Sequence, residues 1–555
     1  MAENIYLSIF KKMIKKIVSI FFIVLFSQSV LYPAVIKQQV QFAPNNISTW
    51  FQNTGTFNQD IRTTNTPGFE WPKGSSKFAI FTSGLSIGAI VDGQLRMANA
   101  SYNGEYAPGY VFDSSGVPLF KTDSRFRLYS VRIGDTPMNN PDVEAWKHMV
   151  PYGAPYDDIN NNKKYDVGID RPGVVDASQT VFLCYTDADP SNHTSSEGFS
   201  GGTKPLYAEV HMTAWGYDAA PLSDMQFLRF NVVNKSNAVW DSTYFGFFAD
   251  PDLGNATEDY VGCDITQQLM YCYNALDTDA VYGARPPAVG QTLLRGAINK
   301  RAIPPDTMHM TTGTRVNKHG ICDHSPSSYP YGAYNYFKGF KLDGTPWLNP
   351  FTNPLQTTKF TFTGNPEDST GWTEKKGNIL NCGGSLFGNL EPSYPGDKRM
   401  LMSTGGDKLS VQHGDTQKIV LGQVIARGSN NLNSVTKLKE LASLSRRFYY
   451  LIEDDTEVTY VESPYIPVNY SLKQNYPNPF NPITTIRYEM KKLWKVKIQV
   501  YDTRGELIKT LVNEEKPQGV YEIKFDASNI PSGVYFVKMV SGGGFEDSKK
   551  MVVIK

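Results

Sequence analysis

The sequence predicts a mainly β protein: a β-rich, sandwich-like body with one packed helix near its C-terminal end, followed by a small C-terminal Ig-like β-sandwich. Three observations predict it. Of the 555 residues 13% are aromatic, led by Tyr and Phe, 46 are Gly and 34 are Pro, and only 19% are charged. That mixture suits short strands joined by turns better than long solvated helices. Segments of alternating polarity recur along the chain, and a single long segment carries a helical pattern instead. The length exceeds one ordinary core, so two or more domains are expected. Lys+Arg and Asp+Glu are equal at 54 each, which leaves no basic field to recruit nucleic acid.

The first segment is read as a signal peptide, residues 1–34. Lys11, Lys12, Lys15 and Lys16 precede the apolar run IVSIFFIVLF, and SQSVLYPA follows, with cleavage expected after Ser29 or Ala34. The run is well short of the roughly 20 apolar residues that span a bilayer. No later segment is apolar enough to cross, so no transmembrane segment is expected in the mature chain.

The body, residues 35–460, is read as strands. FAIFTSGLSIGAIVDGQLRMANASY is a hairpin turning at Asp92-Gly93. PLYAEVHMTAWGYD and MQFLRFNVVNKS alternate, with Phe227, Leu228, Phe230 and Val232 supplying apolar bulk, while STYFGFFADPD and QKIVLGQVIARG are buried strands. Trp50, Trp71, Trp215 and Trp372 are expected in the core rather than as sugar-stacking platforms. SVTKLKELASLSRRFYYLIE is the helix, capped by Asn433 or Ser434, with Val435, Leu438, Leu441, Ala442, Phe448 and Leu451 on one face. The Asn/Lys-rich stretch near residues 160–200 marks where the body would divide into two subdomains. A linker is expected at residues 461–475, preceded by the acidic EDDTEV.

Beyond it stands SLKQNYPNPFNPITTIRY. Proline fixes φ and lacks an N–H, so Pro477, Pro479 and Pro482 predict a stiff, extended lead-in that acts as a spacer. Clean alternation follows in KVKIQVYD and YEIKFD, with turns at Thr503-Arg504-Gly505, Pro517-Gln518-Gly519 and Pro531-Ser532-Gly533. This is the pattern of a small antiparallel sandwich. NYPNPFNPITTIRY, VYDTRGELIKTLV, GVYEIKFDASNIPSGVYFVKMV and KKMVVIK, in that order, resemble the C-terminal sorting domain of type IX secretion (Por) cargo. The resemblance covers residues 471–555, with the domain itself placed at 476–555. It implies export through the type IX machinery, reading of the motif Asn475, Tyr476, Pro477, Asn478, Pro479, Phe480, Asn481 and Pro482, and removal of the tail by a sortase. The cargo would then be released or attached at the outer face of the outer membrane. FEWPKGS, DDINNNKKYDVGIDRPG, DPDLGNATEDYVGCD and GDTQKIVLGQVIARGSNNLNSVTKLK are similar to uncharacterised type IX passengers, which implies no activity.

The passenger's chemistry is rich in oxygen donors. In DDINNNKKYDVGID, Asp158, Asn160, Asn162 and Asp166 stand at relative positions 1, 3, 5 and 9, Lys164 holds the carbonyl-donating position, and Asp170 follows at 13. Alternate side chains on a tight loop bring oxygens to one centre, as calcium requires. Lys163 replaces the sixth-position Gly of an EF-hand loop, and Ile169 the twelfth-position Glu. Asn- and Asp-rich turns also form for their own reasons. A weaker cation candidate is Asp250, Asp252 and Asp259, with Glu258 and Asp264 nearby. GLSIG matches a nucleophile elbow in letters only, since a hairpin follows it instead of a helix. HGICDH brings His319, Cys322, Asp323 and His324 together without a fourth zinc ligand.

The five cysteines do not make a disulfide scaffold. An odd count leaves at least one outside any internal pair, and Cys263 with Cys272 could close a short loop. The reading is a structural, adhesive or ligand-binding module, calcium-stabilised, with a surface glycan or protein as ligand and no catalytic residue identified. The alternative is a secreted hydrolase acting on glycan or peptide.

Overall fold

The computed structural model describes residues 37–452 and 470–555, apart from positions 63, 115, 303–304, 319, 327–328, 493 and 517–518. The expected signal peptide and the acidic stretch at 453–458 lie outside the described residues. The chain forms two compact units: one gathers the residues through 263 with 268–441, the other 264–267 with 442–555.

Two antiparallel sheets build the first unit. One runs Gln39–Phe42, Thr49–Gln52, Thr56–Phe57, Thr82–Val91, Asp241–Asp250, Lys398–Gly405, Thr312–Asn317, with Gln94–Ala98 beside Thr82–Val91. The other runs Ala107–Pro108, Gln179–Thr186, Ala208–Gly216, Met225–Asn234, Thr416–Ala426, Ala288–Arg295, Leu269–Asn274, Asp259–Asp264, with Tyr129–Arg132 beside Gln179–Thr186. The expected mainly β class is what the chain adopts. Alternation places Leu85, Ile87, Phe245 and Phe247 on one inner face and Val210, Met212, Leu228, Phe230, Ile419 and Leu421 on the other, all in one buried cluster. The Phe230 ring lies 6.3 Å from Phe57 and 5.7 Å from Phe247, so aromatic contacts cross between the sheets. Each such side chain withdrawn from water contributes about 1.5–3 kcal/mol.

The outer faces are covered too, which is why several strands read as unbroken apolar runs. On the first sheet the helix Pro330–Phe337 packs Tyr334 and Phe337 against Tyr244, Phe248 and Leu401. Two strand glycines make room for it. A Cβ on Gly88 would come 2.9 Å from Tyr334, and one on Gly246 would come 2.5 Å from Phe337. The second glycine of GLSIG is therefore a packing glycine, and Ser86 is buried in mid-strand. On the second sheet Phe182 and Cys184 meet Phe126, Tyr129, Val143 and Trp146. Of the tryptophans, Trp71, Trp215 and Trp372 are buried, while Trp50 is half-buried under the Arg62 guanidinium. The Asp92-Gly93 turn is a two-residue hairpin with Val91 opposite Gln94, and φ is 51° at Asp92 and 75° at Gly93.

The long helix, Asn431–Ile452, begins earlier than expected. Asn430 caps it, its side-chain oxygen accepting the Asn433 N–H at 2.8 Å. Ser434, expected as a cap, is buried inside the helix and donates to the Pro286 carbonyl. Val435, Leu438, Ala442, Ser445 and Tyr449 are its buried stripe, whereas Leu441 and Phe448 are half-buried. The sequence leaves the disulfide pairing open, and the structure joins Cys322 to Cys382, sixty residues apart, while Cys263 and Cys272 are not joined to each other.

In the second unit, residues 470–555 form two sheets around their own core. Ser471–Leu472, Ile483–Met490 and Gly519–Asp526 make one, and Leu507–Lys516, Trp494–Asp502, Gly533–Ser541 and Phe545–Val553 the other. Val496, Ile498 and Val500 are fully buried while Lys495 and Lys497 point outward, as alternation dictates. Ser471–Leu472 pairs with the strand Ile483–Met490, so the folded part starts ahead of residue 476. The proline run is not a spacer. Tyr476 bridges Thr485, Phe480 bridges Val553, and Phe480 is buried in the core. Proline's local restriction holds the segment out of a regular strand, but tertiary contacts fold it into the module.

Candidate functional site

The strand pair Tyr156–Asp157 and Arg171–Pro172 closes the base of the Asp158–Asp170 loop. The sequence makes this a tight turn because Asn161, Lys163 and Gly168 all take positive φ. Asp158 accepts the Asn162 N–H at 3.1 Å and the Lys163 N–H at 2.7 Å. The Asn162 side-chain oxygen accepts the Lys164 N–H at 2.8 Å. Asp166 receives both the Asn160 and the Asn162 side-chain amides, at 2.9 and 2.5 Å. These two bonds hold the exposed Asp166 carboxyl below the usual carboxylate range. Asp170, buried, ties the loop ends together by accepting the N–H groups of Ile159 and Asp166 at 3.0 and 2.7 Å. Tyr165 anchors the loop to the sandwich, donating to the Val143 carbonyl at 2.7 Å. Asp158, Asn160, Asn162 and Asp166 are thus drawn together by direct bonds, with Asp170 acting as a brace.

The second acidic group is assembled differently from its expected form. Asp250, Asp252 and Asp397 bring carboxylate oxygens within 4.8 Å of one another. Asp397 comes from the approach to the strand Lys398–Gly405, which pairs with the strand that ends at Asp250. Asp259 does not join them: it is buried and accepts the Leu253 N–H at 3.1 Å. Burial raises Asp250 to about 7 and Asp252 to about 6. Tyr102 donates to Asp250 at 2.7 Å, Arg399 lies 3.4 Å from Asp250 and 2.7 Å from Asp397, and Lys318 lies 2.9 Å from Asp397.

HGICDH does not assemble a zinc site. Cys322 is consumed by the disulfide, Asp323 pairs with Arg315 at 2.8 Å, and His324 faces the Ser325 carbonyl; His319 lies outside the described residues. Arg315 also contacts Glu374 at 2.6 Å, and Lys398 adds a second cation at 3.3 Å, so a buried ion network ties the disulfide lobe to the first sheet. Sequence reasoning missed this network and a second buried one. Glu105 accepts N–H groups from Asn99 and Gly202, Asp187 from Leu206 and Ala208, and Glu197 from Phe199 and Ser101. Burial, then the neighbouring Glu197, raises Glu105 to about 9. These acids staple loops to one another. No local motif announces them, because most of their partners, such as Gly202 for Glu105 and Ser101 for Glu197, are backbone groups distant in sequence.

In the sorting motif Asn475 and Phe480 are buried while Tyr476 is 82% exposed. Asn475 donates to the Pro477 carbonyl at 3.1 Å and to the Thr484 hydroxyl oxygen at 2.9 Å. Asn478 accepts the Val552 N–H at 2.8 Å. The motif is therefore a rigid ridge presenting Tyr476, Pro477, Pro479 and Asn481 to solvent.

No curated protein matches the chain. Among solved structures it is similar to a polysaccharide lyase (6% identity, 62% of this chain and 34% of that one, TM-score 0.18). It is also similar to PorU from Porphyromonas gingivalis (10%, 62% and 26%, TM-score 0.14). CopC from Methylosinus trichosporium OB3b is a third (21%, 15% and 93%, TM-score 0.11). The chain spans about a third of the lyase's length, and at these TM-scores none of the three bears on its fold or activity. The described residues contain no helix long and apolar enough to cross a membrane. Residues 474–555 match the family described as the secretion system C-terminal sorting domain. Residues 474–555 thus carry the sorting domain of type IX secretion cargo, which supports export by that route, with the protein secreted or attached at the cell surface.

Proposed function

We propose that the sorting domain delivers a non-catalytic passenger to the cell exterior, where it serves as a structural, adhesive or ligand-binding module stiffened by calcium. A sortase removes the tail, and the mature passenger meets a surface glycan or protein ligand. The observation that supports the calcium part is the convergence of Asp158, Asn160 and Asn162 with Asp166 on a turn of three positive-φ residues. Calcium takes six to eight oxygens at about 2.3–2.6 Å and tolerates irregular geometry. On loading, Asn160 and Asn162 would exchange amide nitrogen for amide oxygen toward the centre, and Asp166 would exchange two N–H donors for the ion. Lys164 supplies its carbonyl, and Asp170 keeps its bracing role. Asp250 and Asp252, with Asp397 in place of Asp259, are the weaker second position, where a cation would compete with Arg399 and Lys318.

The hydrolase alternative would rest on Asp250 and Asp252, where burial has raised both carboxyls toward the range of a general acid. Their neighbours favour the ionic reading: a glycosidase pair faces across a gap that holds the sugar, whereas these carboxylates share one cluster with Asp397, Arg399 and Lys318.

The test is thermal melting of the full chain with calcium and with chelator. A ligand at 100 times its Kd stabilises the native state by about 2.7 kcal/mol. Calcium should raise the melting temperature of the natural chain and leave that of Asp158→Ala unmoved. Equal melting with calcium and chelator would remove the calcium reading.

A further inference from the structure

The second sheet carries a group of side chains that none of the readings above uses. In the antiparallel pair Gln179–Thr186 and Ala208–Gly216, Cys184 stands directly opposite His211. Glu209 is two residues before His211, hence on the same face of the same strand. Cross-strand neighbours bring their Cβ atoms to about 5 Å, so the register alone places a thiol, an imidazole and a carboxylate side by side. One ligand atom from each lies within 4.8 Å of the other two.

The three are held from outside as well. The Val111 N–H donates to Glu209 Oε2 at 2.8 Å, which turns Oε1 toward His211 Nε2, 2.9 Å away. The Cys184 thiol points at the Gly109 carbonyl oxygen, 3.4 Å from Sγ. The Tyr152 ring stands edge-on to the imidazole, with centroids 5.8 Å apart. Cys184 and Glu209 are buried, while His211 keeps a small exposed edge as a path from solvent.

We propose that Cys184, Glu209 and His211 form a binding site for a divalent transition-metal ion of the zinc class. Thiolate sulfur, imidazole nitrogen and carboxylate oxygen together are the donor set of zinc, and an oxygen-only cation such as calcium would not select it. The backbone N–H on Glu209 Oε2 is the outer-shell support that fixes a ligand's direction. The Gly109 carbonyl or a water completes a tetrahedral shell. Binding breaks the Cys184 S–H bond and passes that proton to solvent, while the neutral His211 imidazole keeps its proton on Nδ1 and leaves Nε2 free to ligate. A dication with one thiolate and one carboxylate is neutral, and the half-exposed Lys235 ammonium, 3.8 Å from Glu209 Oε1, is the cation it would displace from that carboxylate.

The experiment uses the full chain, stripped with chelator, returned to excess calcium to fill any oxygen sites, and titrated with cobalt(II). A thiolate-to-cobalt charge-transfer band should grow to saturation and be abolished by added zinc. Cys184→Ser should lose the band, and His211→Gln should lose saturable zinc binding, with both variants melting like the natural chain in chelator. Absence of the band from the natural chain at saturating cobalt overturns the proposal, whether or not the variants fold. Persistence of the band in a folded Cys184→Ser also overturns it, since the sulfur would then be Cys263 or Cys272.

Discussion

Phe480 is clamped to the strand Phe545–Val553: its N–H donates to the Val552 carbonyl at 3.0 Å, and its own carbonyl accepts the Ile554 N–H at 3.0 Å. The same residue buries its ring 6.1 Å from Phe525 of the opposite sheet. A stretch of alternating Asn and Pro, which has little to offer a regular strand, thereby becomes a stitch between the two layers of the sorting module.

Phe480→Ala removes that stitch. Truncating a buried Phe costs about 3–5 kcal/mol, a large share of what an eighty-residue module can supply. The variant should accumulate in the periplasm, as deletion of 471–555 also should, and it should lose protease resistance in residues 470–555. Normal yields of either protein outside intact cells would contradict the role assigned to the module.

Asp252→Asn tests the acidic cluster. Burial raises Asp252 to about 6, above its ordinary unfolded value near 3.9, so the folded chain holds the proton more tightly. Stability attributable to this group therefore falls as pH rises from about 4 to 6, and the penalty is fully present above that window. Without cation, Asp252→Asn should equal the natural chain below about pH 4 and exceed it at pH 7 by up to about 3 kcal/mol. Denaturant titrations at several pH values measure the difference.

Arg315→Met should be costly. The guanidinium lies between Asp323 and Glu374 in the interior, and removing one partner of a buried ion pair costs about 3–5 kcal/mol by stranding the other. Urea unfolding should show a lower midpoint with an unchanged slope.

Cys382→Ser opens the covalent loop between residues 322 and 382. Loop-closure entropy for a ring of about sixty residues corresponds to about 4 kcal/mol. The loss should appear as a lower melting temperature that reductant reproduces in the natural chain and leaves unchanged in the variant.

The strands were legible because alternation is local: PLYAEVHMTAWGYD and MQFLRFNVVNKS declare their inward faces in their own letters. The Asp92-Gly93 hairpin was legible for the same reason, since two residues carry all of its turn chemistry. The sequence alone places the helix start too late because Asn430, Asn431, Asn433 and Ser434 are all capable caps, and the choice between them depends on tertiary partners such as the Pro286 carbonyl that accepts from Ser434. The proline run misled because the rules for proline fix conformation but not burial. Asp397 stands 145 residues from Asp252, and Cys382 sixty from Cys322; only strand order brings such pairs together. Cys184 and His211 are a still plainer instance, since their adjacency exists only in a register that the sequence does not print.

The strands that come late in the passenger occupy the middle of both layers: Lys398–Gly405 lies between Asp241–Asp250 and Thr312–Asn317, and Thr416–Ala426 between Met225–Asn234 and Ala288–Arg295. A chain emerging N-terminus first thus has an open seam in the first layer until residues 398–405 arrive and in the second until residues 416–426 do, with raw hydrogen-bonding edges on either side.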